Sequence, residues 1–459
     1  MLKEPNNFYI TDHYVCKYKD GFIYMDVNTL DVFIIEEIDS NIIKAIKKYP
    51  IDEALNLLSV KYSKQIIAEH IAELQKNGIL RKAEDKNEKE ATIFNYDPDI
   101  ITSIDVILSE DCNLACKYCF VKKNKYNGKS ALLQSDVGEK IINFLIQKSG
   151  NKNDVFICFF GGEPLMNFMV MEKMVLYALE EGRKNNKCFH FSLTTNGTLL
   201  NDEIVEFICK HQISVLISID GDMHSHNLNR PLSGGGDSYN MIEENVRKLA
   251  RKNISYSART TITSYTKNNI AKNFEHLISL GFKGIHFENA MAPKGKVFIN
   301  KKDDIREIKK QYSLISKKIS KSIKLGQPYN VESFPLPMGK IVSKRPDFFS
   351  CTAGRGYLSA DVNGDLYLCH RFVGEKSFTL GNVSENTYSA KLSEIMKPEM
   401  NIDNRKKCKK CWARYICGGG CYEINNTFNN NIFITPEIYC QLMKHNIKLA
   451  LNIYASASE

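Results

Sequence analysis

Apolar and polar positions change rhythm twice along the chain. Residues 8–35, "FYITDHYVCKYKDGFIYMDVNTLDVFII", are rich in β-formers, and Asp20-Gly21 supplies a tight turn between two runs. Helical spacing follows near 39–48, 51–60 and 63–78. The last stretch sets Ile66, Ile67, His70, Ile71 and Leu74 on one side and stops at Gly78. A module of strands and three helices is predicted over 1–80. Residues 81–99, "RKAEDKNEKEATIFNYDPD", are charged and polar without an apolar period and read as a linker.

From 102 the rhythm becomes alternation of buried strand and amphipathic helix. The strands are "TSIDVIL" (102–108), "VFICFF" (155–160), "HFSLTT" (190–195), "SVLISI" (214–219), "ISYSARTTIT" (254–263) and "GIHFEN" (284–289). One intervening helix, 135–148, places Val137, Ile141, Phe144 and Leu145 on one face before Gly150. Near-continuous apolar strands predict a parallel sheet covered by helices, either an open doubly wound sheet or a partial (β/α)6 barrel over 100–300. The unusual residues fall at the C-terminal ends of successive strands, the active face of β/α barrels, which favours the barrel. A basic helical segment connects over 301–345. From 346 to 459 the chain is loop-rich, with short strands and most of the remaining cysteines.

Composition narrows the class. The chain has 459 residues, 43% apolar and 25% charged, so it buries ordinary cores and is not disordered. Its net charge of +9 comes from Lys spread over helix faces, which predicts a solvated basic surface rather than a nucleic-acid groove. The start, "MLKEPNNFYI", has no basic-then-apolar signal, and no run approaches a membrane span. A cytoplasmic protein with no membrane partner is expected. In a reducing compartment, 14 cysteines point to metal sites or catalysis rather than disulfides.

Three of them stand in "EDCNLACKYCFV" (110–121): Cys112, Cys116 and Cys119, spaced C-x3-C-x2-C. A structural zinc site wants four ligands, and the loop offers no fourth Cys or His. An iron–sulfur cube held by three thiolates keeps one iron open. A zinc knuckle borrowing a distant ligand is the alternative. The spacing, with Tyr118 before the last Cys, resembles the radical S-adenosylmethionine (SAM) superfamily. The resemblance implies that SAM binds the open iron and is cleaved to a 5′-deoxyadenosyl radical. "FFGGEP" (159–164), "TTNGT" (194–198) and "SIDGD" (218–222) follow in the family's order. By that resemblance Gly161, Gly162 and Glu163 edge the SAM amino group, where glycines let backbone approach a ligand. Asn196 lines the pocket, and Ser218 and Arg259 hold the carboxylate end.

A second set is Cys351, Gly364, Cys369, Cys408-x2-Cys411-x5-Cys417-x3-Cys421 and Cys440. It resembles the SPASM extension of peptide-modifying radical SAM enzymes. That implies two auxiliary [4Fe–4S] clusters, three in all with the SAM cluster; a structural zinc module is the alternative. The resemblance gives Cys408, Cys411, Cys417 and Cys440 to an outer cluster. Cys351, Cys369 and Cys421 remain for an inner one, a ligand short. Cys16, Cys158, Cys188 and Cys209 lie in or beside apolar runs and read as small buried residues.

The N-terminal pattern resembles a PqqD-like recognition element, winged-helix-like in build, which implies leader-peptide binding by strand addition beside 22–35. A winged-helix DNA binder or a structural cap is the alternative. With "CHRFVG" (369–374), the chain is similar to thioether-forming maturases of sactipeptides and ranthipeptides. Expected partners are a Cys-containing precursor peptide and a reductant such as flavodoxin or ferredoxin. Carbon–carbon crosslinking, epimerisation and sulfatase-type Ser or Cys oxidation are alternatives. In the sulfatase-maturing family a carboxylate base follows the second SPASM cysteine; His370 stands there and is the candidate base. From a different class, a non-catalytic iron–sulfur electron carrier would need no open iron.

Overall fold

In the computed structural model, which describes residues 8–82, 97, 99–121, 131–252, 254–326, 337–389, 396 and 398–458, the β-rich start forms two small sheets. β1 (Phe8–Ile10) pairs antiparallel with β5 (Leu80–Lys82). β2 (His13–Tyr18), β3 (Gly21–Asp26) and β4 (Val32–Ile35) form an antiparallel meander. Helices α1 (Glu37–Lys48), α2 (Ile51–Leu58) and α3 (Lys64–Lys76) follow. Glu36 and Asp39 cap the start of α1 reciprocally, and Asp39 also meets His70 Nδ1 at 2.7 Å, tying α1 to α3. The expected linker begins as strand at 81–82, and 83–96 and 98 lie outside the described residues.

The strand period of two gives the meander two buried faces. Tyr24 and Ile35 pack among α1–α3, whereas Ile23 and Met25, with Val27 and Leu30 beyond, join the main core of the protein. Polar contacts reinforce this docking. Tyr14 stacks on Trp412 with ring centroids 3.7 Å apart, and Arg414 reaches Asp12 at 2.8 Å and Asn28 at 3.0 Å. Lys344 meets Asp31 at 2.7 Å.

Six parallel strands then lie side by side in chain order: β6 (Ser103–Ser109), β7 (Asp154–Gly161), β8 (Cys188–Thr195), β9 (Ser214–Ser218), β10 (Tyr256–Ile262) and β11 (Gly284–Asn289). This is the partial barrel. Its two faces differ more than the apolar runs suggest. Ile104, Val106, Val155, Ile157, Phe191, Leu193, Val215 and Ile217 are buried on the outer, helix-covered side. The alternate positions of β6, Asp105, Ile107 and Ser109, are buried, whereas on β7 to β11 many, among them Cys158, Ser192, Thr194, Ser218, Arg259 and Glu288, are only half-buried. They line an open lumen. A sheet covered on both faces would have buried them.

The Cys-rich part continues this sheet. β12 (Tyr357–Ala360) pairs parallel to β6, with Ser359 opposite Asp105, and β13 (Asp365–Tyr367), β14 (Thr379–Asn382) and β15 (Thr387–Tyr388) add antiparallel, giving ten strands. Gly364 turns β12 into β13 at φ +84°, where a Cβ would meet Val383 Cγ2 at 2.7 Å. The basic helix Lys302–Lys324 packs on the last helix, Glu437–Ser458, and His445 Nε2 lies 2.9 Å from the Lys309 carbonyl. Residues 327–336 of the connecting segment lie outside the described residues. Among the described residues no helix is long and apolar enough to cross a membrane.

Candidate active site: three thiol sets around an open barrel

Cys112, Cys116 and Cys119 follow β6 in a loop fixed from two sides. Gly162 N donates to Ser109 O at 2.7 Å and Glu163 N to Asp111 O at 2.8 Å. A Cβ on Gly161, at φ +141°, would fall 2.4 Å from Ser109 O, and one on Gly162 2.2 Å from Asp111 O. The glycines are thus required by the protein's own chain, the strand leading into Cys112. From the other side Ala115 N donates to Pro231 O at 2.7 Å and Lys117 N to Asn229 O at 2.9 Å.

Glu163 is fully buried, and both carboxylate oxygens are used within the protein. They accept from Thr195 Oγ1 and Asn196 N, each at 2.7 Å, and from Leu165 N at 3.1 Å. Burial pushes its pKa up to about 7. Glu163 thereby ties the end of β8 to the turn after β7. Asn196, held this way, donates Nδ2 to Asn113 at 2.8 Å and lies 3.8 Å from Cys112 Sγ. Two strand ends are so joined to the cysteine loop.

Tyr118 donates to Asp220 Oδ2 at 2.8 Å. Arg230 lies over its ring at 5.2 Å, pairs with Asp220 at 3.1 Å and approaches Cys116 Sγ at 3.8 Å. Burial opposes the Arg230 charge, but Asp220, Tyr118 and Cys116 outweigh it and raise its pKa. Arg230 and Asp220 were not singled out by the sequence. Ser218 ends β9 in register with Arg259, whose guanidinium meets Glu288 at 3.1 Å.

The later cysteines form two sets. The Cys369 thiol is pushed up by burial and by neighbouring Cys421 and Cys351. Cys417 is raised by burial and by Cys408 and Cys411, and Cys440, pushed up to about 12, by burial, Cys417 and Cys408. Cys408, Cys411, Cys417 and Cys440 line one cavity with Arg414 and Lys444. The same mutual effect joins Cys112, pushed up to about 12 by burial first, to Cys116 and Cys119. Converging thiols that disfavour one another's ionisation fit a cationic centre that compensates thiolate charge. In none of the three sets do three sulfurs lie mutually within 4.8 Å. A single tetrahedral zinc, with Zn–S of about 2.3 Å, would draw its sulfurs to about 3.8 Å apart. The sets suit a polynuclear iron–sulfur cluster better.

His370 faces the lumen. Its Nδ1 lies 2.7 Å from Asp105 Oδ2, which also accepts from Tyr357 Oη at 2.6 Å, and its ring packs on Phe160 at 4.6 Å. Next to it Arg371 bridges Glu288 at 3.3 Å and Glu423 at 3.1 Å, linking barrel to Cys-rich region beside Cys421. Asp105, Glu288 and Arg371 were missed. A lone carboxylate inside "SIDVIL" was a usable signal, since buried acids want partners. The four remaining cysteines differ from expectation. Cys16, Cys158 and Cys209 are half-buried and Cys188 is exposed. Strand parity turns Cys158 to the lumen opposite Asp105, where burial and that carboxylate push its pKa up to about 12.

Residues 106–281 match the model of the Radical SAM superfamily. The chain carries a radical SAM domain. Around this domain the chain is 26% identical over 369 residues to the cysteine-type anaerobic sulfatase-maturating enzyme of Clostridium perfringens, covering 74% of this chain and 94% of that protein. In fold, the radical SAM domain and its extension resemble anSMEcpe with bound AdoMet and Cp18Cys peptide, at TM-score 0.65 and 22% identity over 78% of this chain and 99% of that one. Streptococcus suis SuiB bound to precursor peptide SuiA matches at TM-score 0.54 and 17% identity over 94% of this chain and 99% of that one. The uncovered remainder is shorter than the N-terminal module, so this likeness of fold runs into it.

Proposed function

We propose that this radical SAM enzyme matures a ribosomally made precursor peptide by joining a Cys sulfur to a carbon of another residue. The observation that carries the reading is the unequal pair of thiol sets, Cys408, Cys411, Cys417 and Cys440 about one cavity and Cys351, Cys369 and Cys421 near one another. On a four-iron cluster, Cys351, Cys369 and Cys421 would leave one donor position that a substrate thiol would complete. Relatives with peptide or sulfatase substrates support the peptide class.

Cys112, Cys116 and Cys119 would hold the SAM-binding cluster, with Asn196, Ser218 and Arg259 at the SAM pocket. Bound there, cluster and SAM would supply a carbon radical that takes one hydrogen atom from the substrate; as sulfur bonds to that carbon, the thiol proton would pass to His370 and the remaining electron to the cluster held by Cys351, Cys369 and Cys421. The chain's own residues then govern selectivity. Asp105 fixes the His370 ring, and donation of Nδ1–H to Asp105 leaves Nε2 as the basic nitrogen for a substrate proton. Arg371, with Glu288 and Glu423, fixes the lumen wall next to the inner set. The N-terminal module acts as a PqqD-like element, taking the leader as an added strand beside β4.

Coexpression with a Cys-containing precursor and mass spectrometry test the reading. Each crosslink should remove a pair of hydrogen atoms and one alkylatable thiol. Asp105→Asn should slow this about a hundredfold while SAM cleavage continues. Loss of sulfur from the peptide would instead favour sulfatase-type oxidation, the second reading, which the relative from Clostridium perfringens supports over most of its length.

A further inference from the structure

At the end of the barrel away from the cysteine loop, the lumen floor carries a mixed set of donors. Asp154 opens β7; Cys188 and His190 stand two apart on β8. The ladder sets Asp154 opposite Cys188 and Phe156 opposite His190, so all three donors share one face of two adjacent strands. One ligand atom from each lies within 4.8 Å of the other two. No other such group of three occurs among the described residues.

We propose that Asp154, Cys188 and His190 form an open site for a thiophilic divalent cation of the zinc class. Three protein ligands plus water is the arrangement of open zinc sites. A thiolate with an imidazole selects zinc over magnesium or calcium, and thiolate plus carboxylate balance the charge of a divalent ion. The donors are also held in place. Phe156 stacks on the His190 ring at 4.8 Å and 20°, and Asp154 Oδ1 lies 2.8 Å from His190 Nε2. Lys187, the cation next in sequence, donates to the carbonyls of Gly150 and Lys152 at 2.6 and 2.8 Å, leaving the Asp154 carboxylate to the site. Strand positions are more rigid than loop positions, so little ordering is left for the metal to impose. All three side chains are exposed, so the ion enters without unfolding. β7 runs eight residues to Gly161, which puts the site about 25 Å of strand from the cysteine loop. The site is separate from the ten cysteines of the three sets.

The test uses the full chain with its clusters in place, equilibrated anaerobically with ZnCl2 and freed of loose metal. Elemental analysis should find one zinc per chain. X-ray absorption at the zinc edge should show a single sulfur with nitrogen and oxygen neighbours. Cys188→Ser and His190→Ala should each weaken zinc binding at least about tenfold, with iron content and SAM cleavage unchanged. Cys209→Ser should leave zinc binding unchanged. Absence of zinc from the wild-type protein overturns the proposal. So does retention of zinc by Cys188→Ser, or a zinc shell with two or more sulfurs, which would place the ion on cluster cysteines.

Discussion

Glu163 joins the strand ends next to the cysteine loop through the three hydrogen bonds it accepts. Its pKa is pushed up to about 7 by burial, against an ordinary 4.5. The folded protein therefore keeps this proton where the unfolded chain has released it. Its stabilising contribution is complete below about 4.5 and is lost as pH rises towards about 7. Glu163→Gln removes that slope, and its amide sets a donor against the N–H of Asn196 or Leu165. Urea titrations across that pH range should show a flatter dependence and a loss of about 1–3 kcal/mol at the lower end. A slope unchanged in the variant would assign it elsewhere. The cysteine spacing and the strand-end motifs were legible because they are local. Asp105 was not, because Tyr357 and His370 reach it from 252 and 265 residues away. Glu163 stood out in its motif, but its burial and its bonds to Thr195 and Asn196 did not show in the sequence.

At the scale of elements, the six barrel strands were readable from alternating strand and helix patterns, and their boundaries shifted by only a few residues. What the pattern concealed is that one face stays open, since half-buried polar residues sit between strongly apolar ones. Nor did it show β12 as a parallel neighbour of β6. "YLSA" is too short to carry a period, and its partner lies far upstream. Gly364 anchors this extension. Gly364→Ala meets both an unfavourable positive φ and the Val383 methyl group, a cost of about 1–3 kcal/mol. The β12–β13 turn precedes Cys369, so the damage should fall on the inner set. Reconstituted iron is expected to drop by about one cluster's content while SAM cleavage persists. Full iron retention would show that the turn does not position Cys369.

The whole molecule is more continuous than its composition implies. A polar stretch at 81–99 suggests a tethered module, yet the meander places Ile23, Met25, Val27 and Leu30 in the main core. Its contacts with Trp412 and Arg414 sit beside Cys411, a member of the outer set. Removing residues 1–82 should therefore lower the melting temperature and the iron held by the outer set, beyond any loss of the proposed leader binding. A truncated protein with unchanged melting and iron content would establish a detachable module. Among the described residues the barrel itself ends at β11, which pairs with β10 alone. The gap beyond is crossed by side chains, Arg371 to Glu288, rather than by a ladder. Such a wall is a slotted tube and not a well. On the proposed function a peptide would be laid in sideways, like thread into a slit bead, so that the middle of a long chain would reach the reacting centre without a free end ever passing through.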